Sequence, residues 1–125
     1  MKFLPVDEKL VLEDSLTRLE VYHAVGQVHM PDAVFAYAPA QRVVMDGDMF
    51  AETWQYQWWS GAYPQNVALY GLNPFTIVPV HTLPIPYEAA IRRMNEQVAE
   101  AKKFCATNAT AGVFLSGCPV QVMAP

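Results

Sequence analysis

The sequence predicts a mixed α/β domain in which a mainly antiparallel β-sheet is followed by one long helix. Two patterns indicate this class. Several short apolar segments are bounded by turn-forming residues, which is typical of strands joined by short loops. Residues 87–103 instead carry apolar side chains at helical spacing. The 125 residues suffice for one domain, and with 53% apolar and 16% charged residues the chain can bury a substantial core.

Five segments have the length and composition of strands. The first two are separated by the turn residues Asp14-Ser15, and the second alternates apolar and other side chains with the period of a half-buried strand. Residues 33–38 are apolar throughout, which predicts a strand covered on both faces. Pro79 indicates a strand end or an edge position. The predicted strands are 9–13, 17–25, 33–38, 42–45 and 76–80.

Two segments are predicted to be helical. Pro64 can open a short helix that runs to Tyr70, with Gly71 as its left-handed C-cap. Residues 87–103 form the clearest helix, and its apolar stripe consists of Tyr87, Ala90, Ile91, Met94, Val98 and Ala101. The aromatic-rich residues 50–63 fit neither period. The end of the chain, residues 106–125, is predicted to be an irregular tail.

Charge and composition exclude several classes of function. The net charge of −4 argues against nucleic acid, because phosphate binding needs a basic face. No apolar run approaches the ~20 residues that cross a bilayer, and the start of the chain lacks the apolar region of a secretory signal. We therefore expect a cytoplasmic protein without membrane contact. Cys105 and Cys118 are expected to be reduced buried thiols, although a disulfide is the alternative.

Three residues that follow predicted strands are candidate metal ligands: His29, Asp48 and His81. Imidazole nitrogen and carboxylate oxygen both suit zinc, and a carboxylate can bridge two ions. Their spacing is long and carries no short-range signature. On chemistry alone, three such scattered residues are more often structural or surface groups.

The tryptophans of the aromatic segment are candidate substrate-binding residues: Trp54, Trp58 and Trp59. Aromatic walls are common in ligand pockets. The competing interpretation is that these rings cover a sheet edge, and it is favoured because aromatic side chains most often serve to bury area.

Residues 17–50, TRLEVYHAVGQVHMPDAVFAYAPAQRVVMDGDMF, resemble the metallo-β-lactamase-fold hydrolases. Their order of strand, histidine, strand, proline turn and strand ending in Gly-Asp is the family's order. Residues 77–81, IVPVH, are similar to the strand that carries the family's last metal-binding histidine. The resemblance implies a truncated αββα sandwich, that is, the C-terminal half of the family fold. A single partial domain would then occupy residues 1–105.

The same resemblance implies roles for the candidate ligands. His29 corresponds to the third imidazole of the first metal, Asp48 to the carboxylate that bridges both metals, and His81 to a ligand of the second metal. The implied cofactor is zinc. The family's H-x-H-x-D-H motif, which supplies the remaining ligands, is absent from the sequence. Thr82 also stands where the family usually has glycine after the last histidine.

The resemblance therefore predicts a remnant or half-domain of a metal-dependent hydrolase that acts on a small-molecule substrate and is inactive alone. Its metal site would be incomplete and would bind zinc weakly. Half a sandwich would also leave one sheet face uncovered, which predicts a homo-oligomer or a partner that supplies the missing half. Two alternatives are a non-catalytic interaction module that docks through the sheet face and a ligand-binding domain built on the aromatic segment.

Overall fold

The structure is a computed structural model that describes residues 4–55 and 57–107. It confirms the mixed α/β class, with a mainly antiparallel sheet and one long helix at its end. A short 3₁₀ helix, Trp58–Gly61, lies in the aromatic segment. The other elements in chain order are β1 (Lys9–Glu13), β2 (Arg18–His23), β3 (Val34–Ala38), β4 (Val43–Met45), α1 (Ala62–Leu69), β5 (Thr76–Val78), β6 (Ile85–Pro86) and α2 (Tyr87–Thr107).

The described strands form one sheet whose spatial order is the order of the chain, from β1 to β6. Neighbouring strands are antiparallel except β4 and β5, which are parallel. A parallel pair needs a long crossover, and the segment with the 3₁₀ helix and α1 provides it. As a result β2, β4 and β5 run in the same direction, so the loops that follow them leave from the same end of the sheet.

One face of the sheet is covered by the helices. Phe35 on β3 stacks on Tyr22 of β2 with ring centroids 5.5 Å apart, and it meets Tyr63 of α1 edge-on at the same distance. Met94 of α2 belongs to the same buried cluster. The core therefore lies between this face and the helices, and it also includes Tyr37, Val44, Met49, Phe50, Val67, Ile77 and Ala90.

The opposite face, which we call the open sheet face, is apolar but less covered. None of the strand side chains on this face is buried, and Val34 of β3 is 43% exposed. The prediction that residues 33–38 are covered on both faces is therefore wrong, since only Phe35 and Tyr37 of this strand are buried. The apolar side chains of the face are Leu10, Leu12, Leu19, Val21, Val34, Ala36, Ala38, Val43, Met45, Val78 and Pro86.

Helix α1 ends as the sequence predicts. Gly71 adopts φ +63°, a conformation that glycine reaches without the steric cost that a Cβ imposes. Its N–H donates to the carbonyl of Ala68 at 3.1 Å, and the N–H of Leu72 donates to that of Val67 at 2.9 Å. This is the Schellman arrangement. The helix begins earlier than predicted, because Pro64 is its third residue rather than its first.

Helix α2 follows β6 directly and runs to Thr107, past the predicted end at residue 103. Strand β6 was not predicted, because two residues carry no periodic signal. Cys105 is buried and disulfide-bonded, so the expectation of a reduced thiol is wrong for this residue. The other cysteine, Cys118, and residues 108–125 of the predicted tail lie outside the described residues. Within the described chain, no helix combines the length and the hydropathy that a membrane span requires.

Candidate functional site

Asp48 and His81 come together because they follow two parallel strands in matching register. Met45 of β4 is paired with Val78 of β5, and each candidate residue lies three positions beyond its member of this pair. The two chains leave the sheet side by side, and the N–H of Asp46 donates to the carbonyl of Val78 at 3.3 Å. His81 Nε2 lies 2.5 Å from Asp48 Oδ1, with 44% and 38% of the two side chains exposed. Both side chains are thus partly exposed at one surface.

His29 lies in the loop that follows β2, at the same end of the sheet. Its ring stacks on Trp59 with centroids 5.0 Å apart and 15° between the planes. Its Nδ1 is buried and has no hydrogen-bond partner among residues 4–55 and 57–107. The backbone N–H of His29 donates to Oε1 of Gln27 at 3.0 Å. The terminal methyl of Met30 lies 3.7 Å from the position that a Cβ on Gly47 would occupy, so this loop packs against the turn that carries Asp48.

The three predicted ligands do not form a complete metal site in this structure. Asp48 and His81 contact each other, whereas His29 is stacked on a tryptophan. Throughout residues 4–55 and 57–107, no group of three or more His, Cys, Asp or Glu side chains is placed to hold one metal ion. The donor types suit zinc. Two adjacent donors fit part of a zinc coordination sphere and leave it incomplete.

The aromatic segment lies beside both histidines. The ring of Trp54 packs on His81 with centroids 5.1 Å apart, and Trp58 meets Trp59 edge-on at 6.4 Å. Trp59 is buried, so it contributes to the core as well as to the contact with His29. Trp54 is exposed beside the Asp48–His81 pair and is the tryptophan best placed to contact a ligand there.

Two polar residues of α2 hold the segment that carries Trp54. The side-chain amide of Gln97 is buried and donates to the carbonyls of Ala51 and Trp54, at 2.8 and 2.9 Å. Arg93 donates to the carbonyls of Glu52 and Trp54, at 3.0 and 3.1 Å. Neither residue is among the candidates that the sequence predicts. A glutamine at a position that continues the apolar stripe of a helix was the one available signal, since such a residue needs buried partners.

A buried carboxyl lies two residues before Asp48 in the chain. This carboxyl, Asp46, is only 9% exposed. Burial raises the pKa of Asp46 to about 8; the backbone N–H of Phe50 opposes this shift and the negative charge of Asp48 adds to it. Burial also raises the pKa of Tyr63 well above its ordinary value, and the charge of Asp46 adds to that shift. Among the residues that the structure describes, the Tyr63 hydroxyl has no hydrogen-bond partner.

The raised pKa of Asp46 predicts a pH dependence of stability. Between the ordinary pKa of 3.8 and about 8, the folded protein holds a proton that the unfolded chain has released. The free energy of unfolding should therefore fall as pH rises through this window, by up to about 1.4 kcal/mol per pH unit. Urea unfolding at several pH values measures the slope. Asp46→Asn should flatten it, and an equal slope in that variant would contradict the assignment.

Glu20 sets the lower limit of the pH range for this measurement, because its own contribution to stability changes at acidic pH. Burial raises the pKa of this carboxyl, but hydrogen bonds from Tyr22, Arg18 and Lys9 outweigh it and lower the pKa to about 2. A lowered pKa contributes stability that is fully present above 4.5 and is lost as pH falls toward about 2. Between about pH 5 and pH 8 this contribution is constant, so the slope reports on Asp46.

Comparison with known proteins finds the same fold among solved structures. No protein-family model matches the sequence, and no curated protein matches it either. Solved structures do match: a metallo-beta-lactamase from Pontibacter korlensis has a TM-score of 0.57 at 18% identity, and the DIM-1 metallo-beta-lactamase has 0.56 at 16%. The sec-alkylsulfatase Pisa1 from Pseudomonas sp. has 0.54 at 13%.

The chain therefore has the metallo-β-lactamase fold, and it has only part of it. The matches cover 73% and 74% of this chain but 46% of each of the two lactamases. For the alkylsulfatase the figures are 82% and 18%. The chain thus spans less than half the length of the proteins it resembles, as expected for a partial domain.

Proposed function

We propose that this chain is a half-domain or remnant of a metal-dependent hydrolase of the metallo-β-lactamase fold. The observation that supports it most is the placement of Asp48 and His81 in contact at the ends of two parallel strands of that fold. In this proposal both side chains are zinc ligands. His29 is a third ligand that joins the site when further ligands are supplied. The buried Nδ1 of its ring favours this assignment, because it has no hydrogen-bond partner within the described part of the chain.

The donor set limits what the chain does alone. Zinc in a hydrolase would lower the pKa of a bound water and so supply the nucleophile. Asp48 and His81 provide two donors, while catalytic zinc sites have three protein ligands. We therefore assign no hydrolytic step to this chain in isolation. In the proposal, Asp48 and His81 form part of the metal's coordination shell. Trp54, which packs on His81, offers an apolar wall to a small-molecule substrate.

Zinc affinity tests this proposal. Equilibrium dialysis of the wild-type chain against zinc should show weak binding. Asp48→Ala and His81→Ala should each weaken it by about tenfold or more, because each removes one of two adjacent donors. Both residues are exposed, so the variants should fold normally, which circular dichroism checks.

Two matched variants control for nonspecific effects. Asp32→Ala removes a carboxylate from an exposed turn, and His23→Gln removes an imidazole from the open sheet face. Both should keep the wild-type zinc affinity. Unchanged affinity in Asp48→Ala and His81→Ala, or equal losses in all four variants, would contradict the proposed metal role.

The second candidate function is a non-catalytic interaction module. It is favoured by the open sheet face, because the large apolar side chains Leu12 and Val34 remain 45% and 43% exposed there. A contiguous apolar surface of this kind is typical of a protein contact. In the family architecture a second sheet packs on this face, so the occupant would be another sheet with an apolar inner side. This becomes the leading function if the zinc measurement fails.

A further inference from the structure

Strand β1 forms one edge of the sheet. Among the described residues it pairs with β2 alone, and four of its five residues are exposed. An edge strand presents unpaired backbone groups to a partner strand. Proteins often block such an edge with a proline or a bulge. The sequence of β1, KLVLE, contains no proline, and its register against β2 is continuous.

The register shows which backbone groups of β1 point outward. The N–H of His23 donates to the carbonyl of Glu8, and the N–H of Asp14 donates to that of Thr17, each at 3.0 Å. In an antiparallel ladder such bonded pairs alternate with non-bonded ones. Leu10 and Leu12 therefore bond to β2, and the backbone groups that face away from the sheet are those of Lys9, Val11 and Glu13.

We propose that this outer edge pairs antiparallel with β1 of a second copy of the chain, on a two-fold axis at Val11. In this register Lys9 lies opposite Glu13 of the second copy, and Val11 lies opposite its own equivalent. These are the residues whose N–H and C=O groups point outward, so each pair can exchange both backbone hydrogen bonds. Leu10 lies opposite Leu12 on the open sheet face.

Charge complementarity selects this register. Opposite charges directly across an antiparallel pair stabilise it, and like charges destabilise it. A shift by two residues would keep the backbone bonding pattern but would place Lys9 or Glu13 opposite Val11, which leaves both charges without a cross-strand partner. The order of lysine, three apolar residues and glutamate is complementary to itself when reversed.

The surrounding charges are compatible with the pairing. Lys9 lies 3.1 Å from Glu20, and Glu13 lies 3.1 Å from Arg18, so charges of alternating sign already border the edge. One unfavourable pair would form at each end, where Glu8 faces Asp14 of the second copy. The Asp14 carboxylate is turned back into its own loop, where it accepts two backbone N–H bonds at 2.8 Å.

Charge reversal and mixing test the interface. Sedimentation equilibrium at low salt should show concentration-dependent dimers of the wild-type chain. Lys9→Glu places like charges opposite each other at both ends of the strand pair, and Glu13→Lys does the same with the opposite sign. Each variant alone should form dimers with an affinity at least about tenfold lower than that of the wild type. An equimolar mixture of the two restores opposite charges throughout and should form a mixed dimer.

The mixture makes the test independent of folding stability, since two misfolded variants would not rescue each other. Amide exchange by NMR gives a second readout. Dimerisation should protect the amides of Lys9, Val11 and Glu13, whereas those of Leu10 and Leu12 are already bonded to β2. A wild-type monomer at every concentration, variants that dimerise like the wild type, or a mixture that stays monomeric would overturn the proposal. None of these results depends on metal binding.

Discussion

Phe35→Ala is expected to lower the free energy of unfolding by about 3–5 kcal/mol. Phe35 is 1% exposed and touches aromatic rings on three sides, namely Tyr22, Tyr63 and Tyr70. Truncation to alanine removes this buried area and leaves a cavity where the sheet meets α1. The total stability of a domain this size is about 5–15 kcal/mol, so the variant should be near its unfolding threshold.

The neighbouring residue provides the matched control. Val34 precedes Phe35 in β3, points to the open sheet face and is 43% exposed. Val34→Ala should cost about 1 kcal/mol or less, most of it from the lower strand propensity of alanine. Urea unfolding of both variants measures the difference. Similar losses would mean that both faces are covered, and they would contradict the one-sided sheet that the half-domain proposal requires.

Gln97→Ala is expected to cost about 2–4 kcal/mol. The Gln97 side chain is fully buried, and its amide donates to two backbone carbonyls of the segment that carries Trp54. Without it, the Ala51 carbonyl loses a buried partner, and the Trp54 carbonyl keeps the bond from Arg93 but loses the one from Gln97. The segment should loosen, and with it the contact between Trp54 and His81.

Glu96→Ala controls for a change in helix composition at the adjacent position. The Glu96 side chain is 64% exposed, and its ion pair with Arg93 at 3.3 Å is a surface contact that contributes little stability. This variant should lie within about 0.5 kcal/mol of the wild type. Urea unfolding followed by tryptophan fluorescence reports both stability and the loosened segment. Equal stability of the two variants would show that Gln97 does not hold the segment.

Much of the fold was predictable because its signals are local. The first five strands lie within the predicted segments, and Gly71 ends α1 in the conformation predicted for it. For residues 33–38, however, the local pattern predicts the wrong burial. A continuous apolar run is typical of a strand between two layers, yet Val34, Ala36 and Ala38 face a side with no buried strand residue. A sequence pattern reports what a strand is suited to pack against, and the structure reports what covers it.

Position and chemistry make Asp48 and His81 candidate ligands, but only the resemblance predicts that they belong to one site. Periodicity locates β4 and β5 separately, but their parallel pairing brings Asp48 and His81 together, and that pairing depends on the crossover between them. The tertiary contacts of the aromatic segment could not be predicted from the sequence either. Trp59 lies in a 3₁₀ helix, whose period matches neither that of an α-helix nor that of a strand. The support of Trp54 from Gln97 spans 43 residues of sequence.

The metal role of Asp48 and His81, and with it the half-domain proposal, is tested most directly by the side-chain ¹⁵N spectrum of the histidines. The chain has three histidines, and the proposal assigns two of them to the metal site and one outside it. On titration with zinc, His81 Nε2 should shift first and furthest, His29 should respond as further ligands are supplied, and His23 should stay unchanged. Asp48→Ala should weaken the response of His81. A spectrum in which zinc leaves His81 unmoved, or moves all three histidines alike, would contradict the proposed metal site.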